Sequence, residues 1–313
     1  MKIVFFGSGA FGIPTIEALA ERHTLKHIVT QPDRKAGRGR RVTPTPIAQW
    51  AAEHARDVPM VKAEHVNDHE VVERIRAVDA DAWVVIAFGQ KLGSALLADR
   101  FAINLHASLL PRWRGAAPIN HAILAGDKET GNTVITLADR MDAGEILGQS
   151  KRPIEPTMTA GELHDLLSAD GPALVLDVLE RLESGSLDPH RQNEELVTVA
   201  PKMSKDDGWL NFALPADFNN RVVNGLTPWP GAATALGGRR LAVRRAEHSD
   251  AHAEEVEPGT IIDPDLGLVV CGRGTVMRLL EVQPAGRRTM PWADFARGAS
   301  ISKGDRFDDD VPC

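Results

Sequence analysis

Apolar residues in the first half of the chain form short continuous runs, and segments with helical spacing separate these runs. Residues 2–6 and 83–88 are almost entirely apolar, as strands covered on both faces are. A helix-like segment starts near Pro14, a residue that suits the first helical turn, and it leads to a second strand at Leu25–Thr30. Strands that alternate with helices predict an α/β fold with a mostly parallel sheet.

The same alternation continues to about residue 184. Glycine and proline punctuate the periodic segments, as turns between helices and strands require. We predict helices at 47–54, 67–78, 116–124 and 159–184, a short helix between 89 and 97, and strands at 58–61, 101–103 and 133–137.

The pattern changes from Trp209 onward, where short strand-like segments are separated by glycine pairs and prolines. Regularly spaced short strands predict a small β-barrel of the OB-like type. A polar stretch broken by Pro189 and Pro201 precedes them. We therefore predict a first domain at 1–188, a linker at 189–207 and a barrel domain at 208–313, with a frayed acidic end from Asp305. The predicted strands of the barrel are 232–236, 241–246, 259–262, 267–271 and 276–282.

Composition excludes several classes of protein. The chain has 313 residues, of which 43% are hydrophobic and 25% charged, a globular balance for about two domains. It has no apolar run long enough to span a membrane, and its first residues enter a strand without a signal-peptide cleavage region. With only two cysteines, Cys271 and Cys313, we expect neither a disulfide framework nor a Cys-based zinc site. The eleven histidines show no ligand spacing, so we expect no metal. A cytoplasmic location is the default expectation for such a chain, and we also expect a monomer.

The turn Gly7–Gly12 follows the first strand and matches G-x-G-x-x-G. This pattern is typical of dinucleotide sites when an acidic residue ends the second strand and holds the ribose. The second strand here ends in Thr30-Gln31-Pro32-Asp33, so the acid comes late, after a proline. A tight turn that lets a helix approach a ligand or pack closely explains the same glycines. Both interpretations remain open on this motif alone.

A basic loop at 34–46 follows the second strand and carries five positive charges in eight residues. It has few large apolar residues, so we predict a mobile surface loop. Clustered cations repel one another unless an anion is near, and a phosphate backbone is a natural partner. A solvated charge run is the alternative, because the net charge of -7 does not favour nucleic-acid binding by the whole surface. The five cations are Arg34, Lys35, Arg38, Arg40 and Arg41.

Asn104 and His106 follow the predicted strand at 101–103, at the edge where open parallel sheets bind ligands. Residues two apart on a strand point the same way. Spacing alone equally fits an asparagine that caps a turn and a loop histidine with no role. Asp142, in a glycine-containing loop after a later strand, supplies a carboxylate that can orient an imidazole. An amide donor and an acid–base pair suit acyl transfer, and no covalent nucleophile is evident.

Longer motifs now identify a family. The chain resembles the methionyl-tRNA formyltransferases, within the formyl-tetrahydrofolate-dependent transferases. The resemblance rests on NLHASLLPRWRGAAP at Asn104–Pro118, MDAGEI at Met141–Ile146 and TQPDRKAGRGRR at Thr30–Arg41. It continues through APKMSKDDGWLNF at Ala200–Phe212, TPWPG at Thr227–Gly231 and LEVQPAGRR at Leu280–Arg288. It thus covers almost the whole chain.

The resemblance implies a Rossmann-like catalytic domain and an OB-like tRNA-binding domain. It implies that Asn104, His106 and Asp142 form the catalytic set, and that Gly7–Gly12 is a sheet turn and not a nucleotide cradle. The co-substrate would be 10-formyltetrahydrofolate, held by Ser108, Leu109, Leu110 and Pro111, with backbone around Ala87, Phe88 and Gly89 at the pterin ring. The basic loop would enter the acceptor end of initiator methionyl-tRNA, with Arg40 and Arg41 as the foremost contacts. The second domain would add arginines along the RNA, namely Arg239, Arg240, Arg244, Arg287 and Arg288.

The implied reaction is attack of the methionyl α-amine on the formyl carbon, with Asn104 and His106 holding the oxyanion. Three alternatives compete with it. The chain could formylate a sugar or ribonucleotide amine, or hydrolyse formyl-folate, although such small substrates need no basic loop. It could be an NAD-dependent oxidoreductase, based on Gly7–Gly12, or an RNA-binding module without catalysis.

Overall fold

The computed structural model describes residues 1–36 and 41–308. The predicted contacts Arg38 and Arg40 lie outside the described residues, as does Cys313. In chain order the α-helices are α1 Ile13–Arg22, α2 Pro46–His54, α3 His69–Arg76, α4 Ser94–Leu97, α5 Pro118–Ala125, α6 Ala160–Glu183, α7 Ala216–Leu226 and α8 Trp292–Ala299.

The strands of the described residues complete the list of elements. They are β1 Lys2–Gly7, β2 Thr24–Thr30, β3 Arg34–Ala36, β4 Arg41–Thr43, β5 Met60–Lys62, β6 Ala82–Ile86, β7 Ala102–His106, β8 Arg114–Gly115, β9 Glu129–Thr136, β10 Ile146–Pro153, β11 Val199–Ala200, β12 Ala232–Leu236, β13 Arg239–His252, β14 Ile261–Asp263, β15 Leu268–Val270, β16 Thr275–Pro284 and β17 Met290–Pro291.

A seven-stranded sheet with the spatial order β10-β9-β7-β6-β1-β2-β5 carries the candidate site. The pairs β1–β2, β1–β6, β2–β5 and β6–β7 are parallel, and β9 runs antiparallel to β7. All five residues of β6 are buried, as expected for a strand covered on both faces. The mostly parallel sheet predicted from the sequence is confirmed.

One strand is longer than predicted. The strand β7 continues through Asn104 and His106, which we expected just after the strand end. Backbone pairing accounts for the difference, because Asn104 pairs with Val85 of β6 and His106 pairs with Thr133 of β9. The backbone of both residues is therefore held in the sheet, and their side chains project from a strand and not from a loop.

The described parts of the basic segment after β2 are paired strands, where we predicted a mobile loop. Its described parts, β3 and β4, form an antiparallel hairpin in which Arg34 pairs with Thr43. Thr45 then caps α2 by accepting a hydrogen bond from the Ala48 N–H at 3.1 Å. Local backbone pairing and a helix cap need no large apolar residues, which is why the composition alone suggested a mobile loop.

The C-terminal sheet is antiparallel, with the order β12-β13-β16-β15-β14 and with β17 paired to β16. This confirms a separate sheet domain consistent with a small barrel. The helices α7 and α8 were not predicted. Both bury one face against the sheet, and Trp292 of α8 packs beside Phe307 in the core. Residues 305–308 are docked and not frayed, because Phe307 is buried and the Asp308 carboxylate accepts two backbone N–H groups.

The chain forms two compact units that do not follow a single cut. The first unit consists of residues 1–115, 130–152 and 164–199, and the second consists of 116–129, 153–163 and the chain from Ala200 onward. The predicted linker at 189–207 is thus shared between the units. Within the described residues, no helix is both long and apolar enough to cross a bilayer.

Candidate active site

His106 is the centre of the candidate site, and both of its ring nitrogens face a partner. Its side chain is 6% exposed. The Nε2 atom lies 2.8 Å from the Trp113 carbonyl oxygen, and Nδ1 lies 3.6 Å from Oδ2 of Asp142. Because a carbonyl only accepts, the proton belongs on Nε2. The Nδ1 atom is then left to face the Asp142 carboxylate.

Asp142 is fixed by its backbone as well as by its carboxylate. Its φ is +53°, in the left-handed region that is uncommon for residues other than glycine. The Gly115 N–H donates to Oδ2 at 2.9 Å. Two residues on, a Cβ at Gly144 would lie 1.6 Å from the Thr136 carbonyl oxygen. The loop therefore reaches His106 by a close backbone approach that only glycine allows at position 144.

Asn104 lies on the same side of β7 as His106, two residues away. Its side chain is half-buried, and among the residues that the structure describes no hydrogen bond engages its amide. The other two members of the predicted set, His106 and Asp142, are in direct contact. The structure thus brings an imidazole and a carboxylate together beside an amide that has no hydrogen-bond partner in the described ranges 1–36 and 41–308.

The residues after β6 border the same edge of the sheet. Because Val85 pairs with Asn104 in a parallel register, Ala87 comes level with His106. Ala87 and Gly89 are exposed and have φ values of +47° and +81°. The Ala87 carbonyl accepts the N–H groups of Ser8 and Gly9 at 3.2 Å each. This contact joins the turns after β1 and β6, at the point where the strand order reverses and α/β sheets bind ligands.

The predicted folate-site residues differ in what their side chains can offer. Leu109 and Pro111 are half-buried and Leu110 is buried. The Ser108 hydroxyl is fully buried and donates to the Arg112 carbonyl at 2.6 Å, so it shapes the turn. The Phe88 ring packs against Phe6 in the core. The backbone carbonyl of Phe88 accepts a hydrogen bond from the Gln31 side-chain amide at 2.8 Å.

The described basic residues are mostly solvent-facing. Arg34, Lys35 and Arg41 on the hairpin are exposed, as are Arg239, Arg240, Arg287 and Arg288 in the second unit. Arg240 stacks over the Trp209 ring at 5.3 Å. Arg244 is different, since it is half-buried and donates to Gln283 at 2.6 Å. Its role is therefore to join strands of the sheet.

Sequence reasoning missed a group of residues around the predicted linker. Arg114 is buried and donates to Gln192 at 2.9 Å and to Glu194 at 2.9 Å. Hydrogen bonds from Arg114 and Arg140 hold the pKa of the Glu194 carboxyl below its usual value. Gln192 in turn contacts the loop of Asp142. No spacing rule marks such residues, because they meet the site only through the fold.

The described residues also include a cysteine, Cys271, and side chains of the types that bind metals. Burial raises the pKa of the Cys271 thiol to about 12, so it stays protonated and unreactive. Among the described residues, no cluster of histidine, cysteine and carboxylate side chains is placed to hold a metal ion.

Comparisons with known proteins show the family to which this chain belongs. The model of the formyl transferase family matches residues 1–179, and that of the formyl transferase C-terminal domain matches residues 202–300. The fold is that of a formyl transferase, and the chain is an enzyme of this class. The methionyl-tRNA formyltransferase of Methylococcus capsulatus (strain Bath) is 41% identical over 306 residues, which cover 96% of this chain and 98% of that protein. The chain belongs to the methionyl-tRNA formyltransferase family, as the sequence motifs predicted.

A second relative and two solved structures extend the comparison. The methionyl-tRNA formyltransferase of Bacillus subtilis (strain 168) is 37% identical over 309 residues, covering 97% of this chain and 96% of that protein. WlaRD, a sugar 3N-formyl transferase solved with dTDP and 5-N-formyl-THF, has a TM-score of 0.68 at 13% identity and covers 92% of this chain and 99% of its own. HypX from Aquifex aeolicus, solved with tetrahydrofolic acid, has a TM-score of 0.62 at 16% identity over 97% of this chain and 48% of HypX. At identities this low, the two structures show that the fold is shared and nothing more.

Proposed function

We propose that this chain transfers the formyl group of 10-formyltetrahydrofolate to the free α-amine of methionyl-initiator tRNA. The observation that carries the proposal is the contact of His106 with Asp142 on the strand where the Asn104 amide has no hydrogen-bond partner among the described residues. These groups supply an uncharged donor, a cationic donor and a carboxylate at one edge of the sheet. That combination suits an acyl transfer in which the substrate brings the nucleophile.

The amine nitrogen attacks the formyl carbon, and the formyl oxygen becomes an oxyanion. The Asn104 amide donates one hydrogen bond to that oxygen, and the imidazolium of His106 donates the second. Both ring N–H groups already have protein partners. The Nε2 proton must therefore be shared between the Trp113 carbonyl and the oxyanion when substrate is bound, as catalytic hydrogen bonds often rearrange on binding.

The reaction ends when the bond between the formyl carbon and N10 of the folate breaks. The attacking amine loses one proton and N10 gains one, so the reaction needs no external acid or base. Asp142 stabilises the charged form of His106 while the oxyanion exists, and the pair can carry the proton between the two nitrogens. The folate would lie along Leu109–Pro111 and the exposed backbone of Ala87 and Gly89.

The acceptor would be held by cations away from the reacting atoms. Arg34, Lys35 and Arg41 project from the hairpin, and Arg38 and Arg40 belong to the same basic run of the sequence. In the second unit, Arg287 and Arg288 are exposed, and no hydrogen bond or ion pair engages their guanidinium groups within the described residues. Exposed cationic side chains of this kind are suited to binding phosphate groups. A sugar amine, the smaller alternative substrate, would leave both groups of cations without a role.

The test is turnover of 10-formyltetrahydrofolate with charged initiator tRNA. Asn104→Ala and His106→Ala should each lower kcat by about 10²–10³-fold, the usual effect of losing an oxyanion donor. Asp142→Asn should lose a comparable amount while the protein still folds, because the amide replaces the carboxylate with the same shape. His69→Ala is the matched control, since its side chain is 83% exposed on α3. Near-normal turnover in Asp142→Asn would refute the catalytic set, and turnover with a sugar amine but not with charged tRNA would refute the substrate.

A further inference from the structure

The two groups that hold His106 belong to residues with a left-handed backbone. Trp113, whose carbonyl accepts from Nε2, has a φ of +64°, and Asp142, whose carboxylate faces Nδ1, has a φ of +53°. Neither residue is glycine, so both conformations cost free energy and must be imposed by their surroundings. In both cases part of the surroundings comes from one polar stretch, residues 192–198, which we name the clamp segment.

At one end of the clamp segment, Gln192 holds the loop of Asp142. Its Nε2 donates to the carbonyl oxygens of Asp142 and Gly144, at 2.8 Å each. One side-chain amide thus satisfies two carbonyls on either side of Ala143 and fixes the turn between them. The Gln192 side chain is the only group that spans these carbonyls in the part of the chain that the structure describes.

At the other end, Thr198 holds Trp113. Its hydroxyl accepts the Trp113 N–H at 2.9 Å, and its carbonyl accepts the Arg114 N–H at 2.9 Å. These bonds fix the peptide groups on either side of Trp113, including the carbonyl that accepts from His106. The two ends of the clamp segment therefore act on the two nitrogens of the same ring.

Arg114 ties the clamp segment to the site from within. It is buried, and its guanidinium donates to Oε1 of Gln192 and to the Glu194 carboxylate. Because the Gln192 oxygen is taken by Arg114, its amide can only present Nε2 to the Asp142 loop. Glu194 also pairs with Arg140, at 2.7 Å, at the start of that loop.

We propose that Gln192 and Thr198 are positioning residues for formyl transfer. Gln192 acts through Asp142 and Thr198 acts through Trp113, and together they set the orientation and the proton arrangement of His106. The inference rests on the proposed function, because it requires His106 and Asp142 to take part in catalysis. It gives a positioning role to a stretch whose sequence alone predicted a linker.

Two nearly isosteric changes test the proposal in the full-length protein. Gln192→Glu removes the donor to both carbonyls, and Thr198→Val removes the acceptor for the Trp113 N–H. Each should lower kcat about 10- to 100-fold, since a displacement of about 1 Å near the chemistry has effects of this size. The KM values for folate and tRNA should change less than twofold. Thr198→Ser, which keeps the hydroxyl, should restore kcat to near the parent value.

Further measurements separate positioning from general stability. Glu195→Gln, an exposed change in the same segment, should keep parent kcat. The pH profile of kcat should shift in Gln192→Glu. The double variant Gln192→Glu with Asp142→Asn should have a kcat less than threefold below that of Asp142→Asn alone.

Parent kcat in both Gln192→Glu and Thr198→Val, together with an inactive Asp142→Asn, would overturn this inference and leave the proposed function standing. An active Asp142→Asn would overturn the catalytic set and this inference with it. If Gln192→Glu does not fold, the comparison of Thr198→Val with Thr198→Ser decides, and equal kcat in those two overturns the inference.

Discussion

At the scale of single residues, the site depends on backbone positions as much as on side chains. Asp142 faces His106 because its own backbone is left-handed and because Gly144 lets the loop pass close to β9. The loop is then held by two hydrogen bonds between Thr136 and Glu145, at 2.9 Å each. A carboxylate delivered in this way has little freedom, which favours a fixed contact with the imidazole.

A first prediction at this scale concerns Gly144→Ala. The new Cβ would lie 1.6 Å from the Thr136 carbonyl oxygen, so the backbone must move. We expect the free energy of unfolding to fall by about 1–3 kcal/mol, the usual cost of overpacking, and kcat to fall with it. Chemical denaturation and the formylation assay measure the two effects.

The control for this change is Gly298→Ala on α8, where a Cβ meets nothing within 4 Å. Alanine is the better helix former, so stability should stay the same or rise by up to about 1 kcal/mol. Equal unfolding midpoints for Gly144→Ala and the parent protein would show that the close approach does not constrain the loop.

Among the secondary-structure elements, some follow from the local apolar pattern and others depend on pairing between distant segments. Apolar runs specify β1 and β6, whereas β7 is extended by pairing with strands on both sides. The C-terminal residues 305–308 show the same effect. Their acidic sequence suggests a frayed end, but Phe307 inserts between Phe212 and Trp292, with ring centroids 5.1 and 6.2 Å away.

The prediction for this element is that Phe307→Ala destabilises the second unit. The side chain is 1% exposed, and truncating a buried phenylalanine typically costs about 3–5 kcal/mol. Phe218→Ala in α7 is the matched control, because Phe218 is 42% exposed and its loss should cost less than about 1 kcal/mol. Chemical denaturation of both variants gives the comparison. Similar costs for the two would mean that Phe307 does not anchor the chain end.

For the whole molecule, the sign of the net charge differs from the sign of the charge on two local surfaces. The chain carries a formal charge of -7, yet the hairpin and the β16–β17 turn each expose cations that have few protein partners. Arg34 has an ion pair with Glu64 at 3.6 Å, but both side chains are about two-thirds exposed, and such pairs contribute little. An anionic protein can therefore still offer cationic surfaces to RNA.

The prediction at this scale concerns salt. Each lost phosphate contact should reduce the slope of log K against log salt concentration by about 0.9. Arg34→Gln combined with Arg41→Gln should thus reduce the slope for tRNA by roughly two, raise the KM for tRNA and leave the KM for folate unchanged. Lys26→Gln is the control, since Lys26 is exposed near the start of β2, at the edge of the sheet opposite to the hairpin. An unchanged slope would exclude the hairpin from the RNA interface.

The fold class, the family and the membership of the candidate catalytic set could all be inferred from the amino-acid sequence. Apolar runs show which strands are buried, and the motifs that contain Asn104, His106 and Asp142 are local in the chain. Tertiary structure alone decided what holds those groups. Gln192 and Thr198 reach His106 through residues that lie 50 and 85 positions away in the chain, and α7 and α8 gain their buried faces from a sheet formed by other segments. Hydrogen bonds between distant segments leave no periodic trace in the sequence, because each partner is an ordinary polar residue until the fold brings the two together.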